Sequence, residues 1–188
     1  MRAVLRFSNL PNAITVARVA LAPLVAALIL SGKWREALTC FVAAGVSDGL
    51  DGRIARKYGI ESAFGAMLDP IADKALMMLV TWSLTAMGVL PLWFAALVTA
   101  RDVAIVIGAA LTHRRDGEGT RPRIRPLFIS KANTAAQIVV LGGALAAMAF
   151  GWRLDPWLTP TLIAAAALSV ASFVPYVALA ARGERPGA

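Results

Sequence analysis

Charged residues are scarce in this chain: Asp, Glu, Lys and Arg make up 16% of its 188 residues, whereas 59% are hydrophobic. Soluble domains carry about 25% charged residues, so this composition, with a mean hydropathy of +0.68, excludes an ordinary soluble domain. Cysteine is almost absent, and the single Cys40 excludes an internal disulfide framework and a cysteine-rich metal site. The length suits one domain, residues 1–188.

Acidic residues are also few, 11 against 19 basic ones, which gives a net charge of +8. Such a balance would suit nucleic acid, but the basic residues collect at the ends of apolar segments rather than along one continuous face. We therefore expect no nucleic-acid partner, and instead a membrane surface that contains anionic lipid. The only histidine, His113, stands at a segment end among arginines, where we expect an interfacial residue.

Six apolar segments are each long enough to cross a hydrocarbon core, which takes about 20 residues. They predict an all-α, polytopic integral membrane protein, with a short interfacial segment around residues 4–7 before the first span. The six predicted transmembrane helices are 12–31, 36–57, 62–88, 91–113, 130–151 and 156–180. Gly32, Gly88 and Gly151 fall near the ends of segments, where glycine suits a helix terminus.

The distribution of charge predicts the orientation of these helices. Most basic residues fall on the side that holds both termini, and the other side has only Lys33, Arg35 and Arg153. By the positive-inside rule both termini face the cytoplasm. Four of the five tryptophans fall at the opposite interface: Trp34, Trp93, Trp152 and Trp157. Since no transit peptide precedes the first span, we expect a bacterial inner membrane, although the mature part of an organelle protein would look similar.

Four aspartates interrupt this apolar sequence at helical spacing. Asp48 and Asp51 are three residues apart on the second helix, and Asp69 and Asp73 are four apart on the third, so each pair shares a face. A carboxylate at bilayer depth costs about 2.5–3.5 kcal/mol, and four together would repel one another. Two divalent cations, Mg²⁺ or Mn²⁺, would compensate them and form an oxygen-rich site that holds a pyrophosphate.

Two glycines and an arginine accompany the aspartates. Gly52 and Gly65 remove side chains where a base or a phosphate would approach the backbone, and Arg56 offers a planar fork to phosphate oxygens. Taken singly, each glycine equally suits close packing of helices, and Arg56 equally suits an arginine that reaches the membrane interface.

The combined pattern resembles a known family signature. Asp-x-x-Asp-Gly-x-x-Ala-Arg at residues 48–56, then eight residues, then Gly-x-x-x-Asp-x-x-x-Asp at residues 65–73, is similar to the CDP-alcohol phosphotransferases at every fixed position. The resemblance extends to the six-helix layout, and hence to most of the chain.

The resemblance implies a role for each of these residues. Asp48, Asp51 and Asp69 would be metal ligands, and Asp73 would be both metal-associated and the catalytic base that takes the proton from an acceptor hydroxyl. Contacts to the CDP moiety would come from Asp48, Gly52, Arg56 and Gly65. The hydroxyl would attack the phosphorus that bears the lipid, and CMP would leave. The family also implies a homodimer.

Two further stretches concern the substrates. Residues 10–18 resemble the opening of the phosphatidylglycerophosphate and cardiolipin synthase branches, and they make Asn12 and Thr15 candidates for the nucleotide site, although Asn12 would equally cap a helix. Residues 125–137 resemble the CMP-forming cardiolipin synthases more closely than the phosphatidylglycerophosphate synthases. Lys131 and Arg125 then become candidates for the acceptor phosphate.

Other roles remain open for the polar residues of this region. Lys131 would also suit an interfacial position, and Asn133 and Gln137, one turn apart, would suit hydrogen bonds between helices. Arg101 and Asp102 would form a structural ion pair within the bundle.

We therefore expect a CMP-forming cardiolipin synthase, which transfers a phosphatidyl group from CDP-diacylglycerol to phosphatidylglycerol. The alternative acceptor is glycerol 3-phosphate, which would give phosphatidylglycerophosphate. A cation transporter would use the same carboxylates, but the aspartates cluster near one membrane face, and Arg56 would repel a cation. Metal-dependent release of CMP separates the enzyme from the transporter.

Overall fold

The computed structural model describes residues 10–58, 63–115 and 128–182, and the side chains within residues 20–47, 73–105 and 132–173. These residues form six α-helices and no strand, which confirms the all-α prediction. The helices are α1 Leu10–Leu30, α2 Trp34–Tyr58, α3 Ala63–Ala86, α4 Leu92–Arg115, α5 Phe128–Phe150 and α6 Asp155–Arg182. Each end lies within two residues of the predicted boundary. The interfacial segment predicted at residues 4–7 lies outside the described residues.

Two stretches of the described chain are long and apolar enough to cross a membrane, Ala132–Phe150 in α5 and Asp155–Phe173 in α6. Both helices also expose apolar side chains, including Val139 (63% exposed) and Ile163 (59% exposed). Helices that are apolar on every side are typical of membrane spans and of the cores of large proteins. Since only these two stretches of the described chain meet the criterion, the prediction that all six helices cross a membrane stays a prediction.

Three helices end at a glycine with a left-handed backbone: Gly32 (φ 70°), Gly88 (φ 73°) and Gly151 (φ 69°). At the end of α1, the Gly32 N–H donates to the Ile29 carbonyl and the Lys33 N–H donates to the Leu28 carbonyl, both at 2.9 Å. These two bonds define a Schellman motif, which satisfies carbonyls that the helix leaves without a partner. The expectation of glycine at these three helix ends is confirmed.

The chain divides into two compact units. The first comprises residues 1–90 and 141–153, and thus α1, α2, α3 and the C-terminal part of α5. The second comprises residues 91–140 and 154–188, and thus α4, the N-terminal part of α5 and α6.

In the first unit, α1 packs against both α2 and α3. Its interior is apolar, and the side chains of Val25, Ile29, Val80 and Leu84 have no exposed surface. The Arg35 Nε donates to the Ala149 carbonyl at 3.2 Å, so that a basic side chain of α2 caps the C-terminal end of α5. Arg35, which the charge pattern assigned only to a membrane interface, thus also joins two helices.

In the second unit, α4 packs against α6. Its apolar part includes Phe94, Ala95 and Val98 of α4 and Leu162 and Ala165 of α6, each at most 4% exposed. The same unit also buries six polar residues, each at most 6% exposed: Arg101, Asp102, Asn133, Gln137, Ser169 and Ser172.

Candidate functional site

All four aspartates lie on two consecutive helices of the first unit. Asp48 and Asp51 occupy the C-terminal half of α2, and Asp69 and Asp73 the N-terminal half of α3. Helical backbone continues through both pairs, so that the members of each pair lie about one turn apart. Residues 59–62 connect the two helices, and a connection of this length separates their ends by at most about 18 Å.

Asp73 is the one member of this set whose side chain the structure describes. It is half-buried and takes part in a polar or electrostatic contact, as does Lys74 beside it. The described side chains contain no group of three or more His, Cys, Asp or Glu residues that would hold a metal ion. The side chains of Asp48, Asp51 and Asp69 lie outside the described set, and their assignment as metal ligands stays a prediction.

The residues predicted to contact CDP lie on the helices that pack together in the first unit. Gly52 and Arg56 follow the aspartates of α2, and Gly65 lies in the first turn of α3. Asn12 and Thr15 lie in the first two turns of α1. Only residues 31–33 connect α1 to α2, so α1 begins at the end of the unit where α2 finishes. The side chains of Asn12, Thr15 and Arg56 lie outside the described set.

The two residues predicted for the acceptor phosphate are placed differently. Lys131 lies in the first turn of α5, within the second unit, and its side chain is not among those described. Arg125 lies outside the described residues altogether.

The second unit contains a hydrogen-bonded network that joins three helices. The predicted ion pair is confirmed, with the Arg101 Nη1 at 2.8 Å from the Asp102 Oδ1. The Arg101 Nε donates to the Ser172 Oγ at 3.1 Å, and the Ser172 Oγ donates to the Ser169 carbonyl at 2.8 Å. The Ser169 Oγ in turn donates to the Asn133 Oδ1 at 2.7 Å. The network thus runs from α4 through α6 to α5.

Sequence reasoning identified three members of this network but not the two serines. The expectation that Asn133 bonds between helices is confirmed by its contact with Ser169. Ser169 and Ser172 are three residues apart in a helix that is otherwise rich in alanine. That spacing places two hydroxyls on one face, but it does not tell whether this face is turned to lipid or to another helix.

Two buried side-chain donors of α5 have no acceptor among the described residues, the Nδ2 of Asn133 in the network and the Nε2 of Gln137 one turn further along the helix. Asn133 is fully buried, and Gln137 is 4% exposed. A buried donor without a partner costs about 1–3 kcal/mol. The second unit therefore carries polar groups at some cost to its stability.

Most of the chain is similar to known proteins. Residues 8–179 match the family model described as CDP-alcohol phosphatidyltransferase. Over 161 residues the chain is 35% identical to the chloroplastic CDP-diacylglycerol–glycerol-3-phosphate 3-phosphatidyltransferase 1 of Oryza sativa subsp. japonica. The aligned residues make up 78% of this chain and 49% of the relative. Over 157 residues it is 34% identical to the CMP-forming cardiolipin synthase of Rattus norvegicus, with 77% and 52% covered.

A third relative is covered over most of its length. The probable phosphatidylglycerophosphate synthase of Mycobacterium tuberculosis is 32% identical over 183 residues, which is 94% of this chain and 84% of the relative. The chain spans about half the length of the rice and rat relatives. Some relatives are named cardiolipin synthase, whereas others are named for phosphatidylglycerophosphate synthesis, so the comparisons leave the acceptor alcohol open.

Proposed function

The chain belongs to the CDP-alcohol phosphatidyltransferase family, and we propose that it transfers a phosphatidyl group from a CDP-linked lipid to an alcohol, with release of CMP. One observation carries the proposal. Two aspartate pairs at helical spacing lie on consecutive helices, α2 and α3, that both pack against α1. If the faces of α2 and α3 that carry them meet, the four carboxylates would suit phosphoryl chemistry assisted by metal ions.

The donor set fits two divalent cations of the Mg²⁺ or Mn²⁺ type, since hard cations prefer oxygen ligands and the set consists of carboxylates alone. Asp48, Asp51 and Asp69 would hold the metal ions, with Asp73 in contact with them. When bound, the ions would neutralise the pyrophosphate and make CMP a better leaving group.

The remaining residues bind the donor and move one proton. Gly52 and Gly65 would let the CDP moiety approach the backbone of α2 and α3, and Arg56 would pair with a phosphate oxygen. Asp73 would accept the proton of the acceptor hydroxyl. The acceptor oxygen then forms a bond to the phosphorus that bears diacylglycerol, and the bond from that phosphorus to CMP breaks.

For the substrates we propose CDP-diacylglycerol as donor and phosphatidylglycerol as acceptor, which gives cardiolipin. The similarity of residues 125–137 to the CMP-forming cardiolipin synthases supports this choice, as do relatives that carry that name. Lys131 and Arg125 would meet the phosphate of phosphatidylglycerol. Glycerol 3-phosphate is the second candidate acceptor, because the rice and mycobacterial relatives carry names of that reaction.

We further propose six transmembrane helices, both termini on the cytoplasmic side, a bacterial inner membrane and a homodimer. The excess of basic residues on one side supports the orientation. Trp93 and Trp152 lie on the opposite side in this arrangement and are 51% and 61% exposed. Exposed tryptophan suits the interface between lipid and water.

The test uses purified protein in detergent with CDP-diacylglycerol and Mg²⁺ or Mn²⁺. Release of CMP is followed separately with phosphatidylglycerol and with glycerol 3-phosphate. Release with phosphatidylglycerol alone, lost in Asp73→Asn, supports the cardiolipin reaction. Release with glycerol 3-phosphate alone moves the chain to the second candidate, and no release with either overturns both acceptors.

A further inference from the structure

The network of the second unit ties α5 to a neighbouring helix at one defined rotation. The Asn133 Oδ1 accepts a hydrogen bond from the Ser169 Oγ at 2.7 Å, and Asn133 itself is fully buried. Rotation of α5 about its axis would break this contact, because the carboxamide reaches α6 from one face only. Asn133 therefore fixes which face of the first turns of α5 is turned toward α6.

The anchor at Ser169 is itself held in place by a buried charge. Ser172 lies one turn beyond Ser169, donates to the Ser169 carbonyl and accepts from the Arg101 Nε. Arg101 is held in turn by Asp102 of its own helix. The contact that holds α5 is thus supported, through α6, by an ion pair on α4.

Lys131 lies two residues before Asn133, in the first turn of α5. A helix moves as a rigid element over so short a distance, so that the rotation set at Asn133 also sets the position of residue 131. A displacement of about 1 Å at a binding group is enough to change a rate by about a hundredfold.

We propose that Arg101, Ser172, Ser169 and Asn133 form a positioning network for the acceptor, which fixes the rotation of α5 and thereby places Lys131. This inference rests on the proposed function in one respect, the contact of Lys131 with the acceptor phosphate. The four residues act through α5, and none of them is assigned a contact with substrate.

The unpaired amide donors favour a network that sets the rotation of α5 over one that only stabilises the fold. The Asn133 Nδ2 has no acceptor among the described residues, so the contact with Ser169 satisfies only half of the carboxamide. A pair of apolar side chains would pack there without any unsatisfied group. Polar residues kept against such a penalty are expected to set a unique arrangement rather than to add stability.

The decisive variant is the double substitution Asn133→Leu with Ser169→Ala, which removes both partners and the unpaired donor together. We expect the KM for phosphatidylglycerol to rise about tenfold, while the KM for CDP-diacylglycerol stays within about twofold. The thermal unfolding midpoint in detergent should be unchanged or higher, because replacing both partners by apolar groups is close to neutral.

Two single variants calibrate this result. Ser172→Ala removes the link between Arg101 and α6 but keeps the ion pair, and should raise the acceptor KM by a smaller factor. Thr161→Val is the matched control on α6, since the Thr161 Oγ1 donates to carbonyls of its own helix, those of Trp157 and Leu158. It should leave both KM values unchanged.

A second measurement reports the rotation of α5 without any turnover. In a Cys40→Ala background, which has no other cysteine, single cysteines at positions 130, 131 and 132 are labelled with a water-soluble maleimide. The double variant should change the order of the three labelling rates, whereas Thr161→Val should keep it.

An unchanged order of labelling, or a changed order with an unchanged acceptor KM, would overturn the positioning role. Should only glycerol 3-phosphate release CMP, the KM for that acceptor is measured instead. The choice of phosphatidylglycerol then fails while the positioning role is still decided. Equal rises in the KM of both substrates would also count against it, because they would show a general disturbance of the fold.

Discussion

The interiors of the two units differ in kind. Among the described residues, the buried side chains of the first unit are apolar except for Thr81 and Ser83, and the Thr81 hydroxyl bonds to the Met77 carbonyl of its own helix. The second unit buries Arg101, Asp102 and Asn133 together with three further polar residues. Dispersion and exclusion of polar groups stabilise the first interior, whereas directed hydrogen bonds specify the second.

This difference suits the two tasks that we propose for the units. In the first unit, the spacing of the aspartates along α2 and α3 places each pair on one helix face. Apolar packing that keeps these helices in place is then sufficient to position the aspartates. In the second unit, α5 must present a chosen face, and a nondirectional apolar contact fixes rotation less strictly than a hydrogen bond. Four substitutions test this difference between the units, and the one with the largest expected effect comes first.

The largest effect is expected for Asp73→Asn in the first unit, because the amide has the shape of the carboxylate but does not accept the proton. The rate of CMP release should fall by about 10²–10⁴-fold with an unchanged unfolding midpoint. Asp155→Asn, at an exposed position in the first turn of α6, is the matched control and should retain activity. A fully active Asp73→Asn variant would refute the assignment of the base.

The next effect concerns the ion pair of the second unit. Arg101→Met removes the cation that lies 2.8 Å from the Asp102 Oδ1 and should lower the free energy of unfolding by about 3–5 kcal/mol. The double variant Arg101→Met with Asp102→Leu should recover most of this loss, because no charge then remains buried without its counterion. Thermal unfolding in detergent measures both. Equal destabilisation of the single and double variants would contradict this, because it would show that the ion pair contributes more to the free energy of unfolding than its apolar replacement does.

The first unit should respond to the loss of an apolar side chain instead. Leu84→Ala removes a side chain with no exposed surface and should lower the free energy of unfolding by about 2–5 kcal/mol. Leu92→Ala, at a side chain that is 64% exposed, should change it far less in detergent. Similar losses for the two leucines would contradict the view of Leu84 as part of a packed core.

The smallest effect is expected at the helix ends. Gly88→Ala places a side chain at φ 73° and should lower the free energy of unfolding by about 1–2 kcal/mol. The Cβ of the new residue would meet no atom within 4 Å, so backbone strain alone accounts for the loss. Gly45→Ala, within α2 and equally free of neighbours within 4 Å, should be neutral or stabilising.

The helices were predictable because their signals are local. Long apolar segments interrupted by glycine define α1 to α6 to within two residues, and the left-handed glycines follow from the steric cost of a Cβ in that conformation. The family was predictable too, because its motif fixes residue types at fixed spacings within residues 48–73. The Arg101–Asp102 pair was predictable because a buried charge needs a neighbour of opposite sign.

The serines were not predictable with the same means. A hydroxyl on an alanine-rich helix has the same sequence pattern whether it faces lipid, its own backbone or another helix. Thr161 bonds within its own helix, whereas Ser169 reaches Asn133, which lies 36 residues earlier. Likewise, nothing in the charge pattern indicated that Arg35 would cap the end of α5 at Ala149.

The helices, their glycine ends and the family could be predicted without a structure, because each depends on residues close together in the chain. The packed fold, in contrast, was needed to show which polar side chains bond to one another, and that the amide donors of Asn133 and Gln137 have no acceptor among the described residues. Hydrogen bonds between helices depend on the rotation and axial offset of each helix. These are set by the packing of many side chains at once rather than by any single segment.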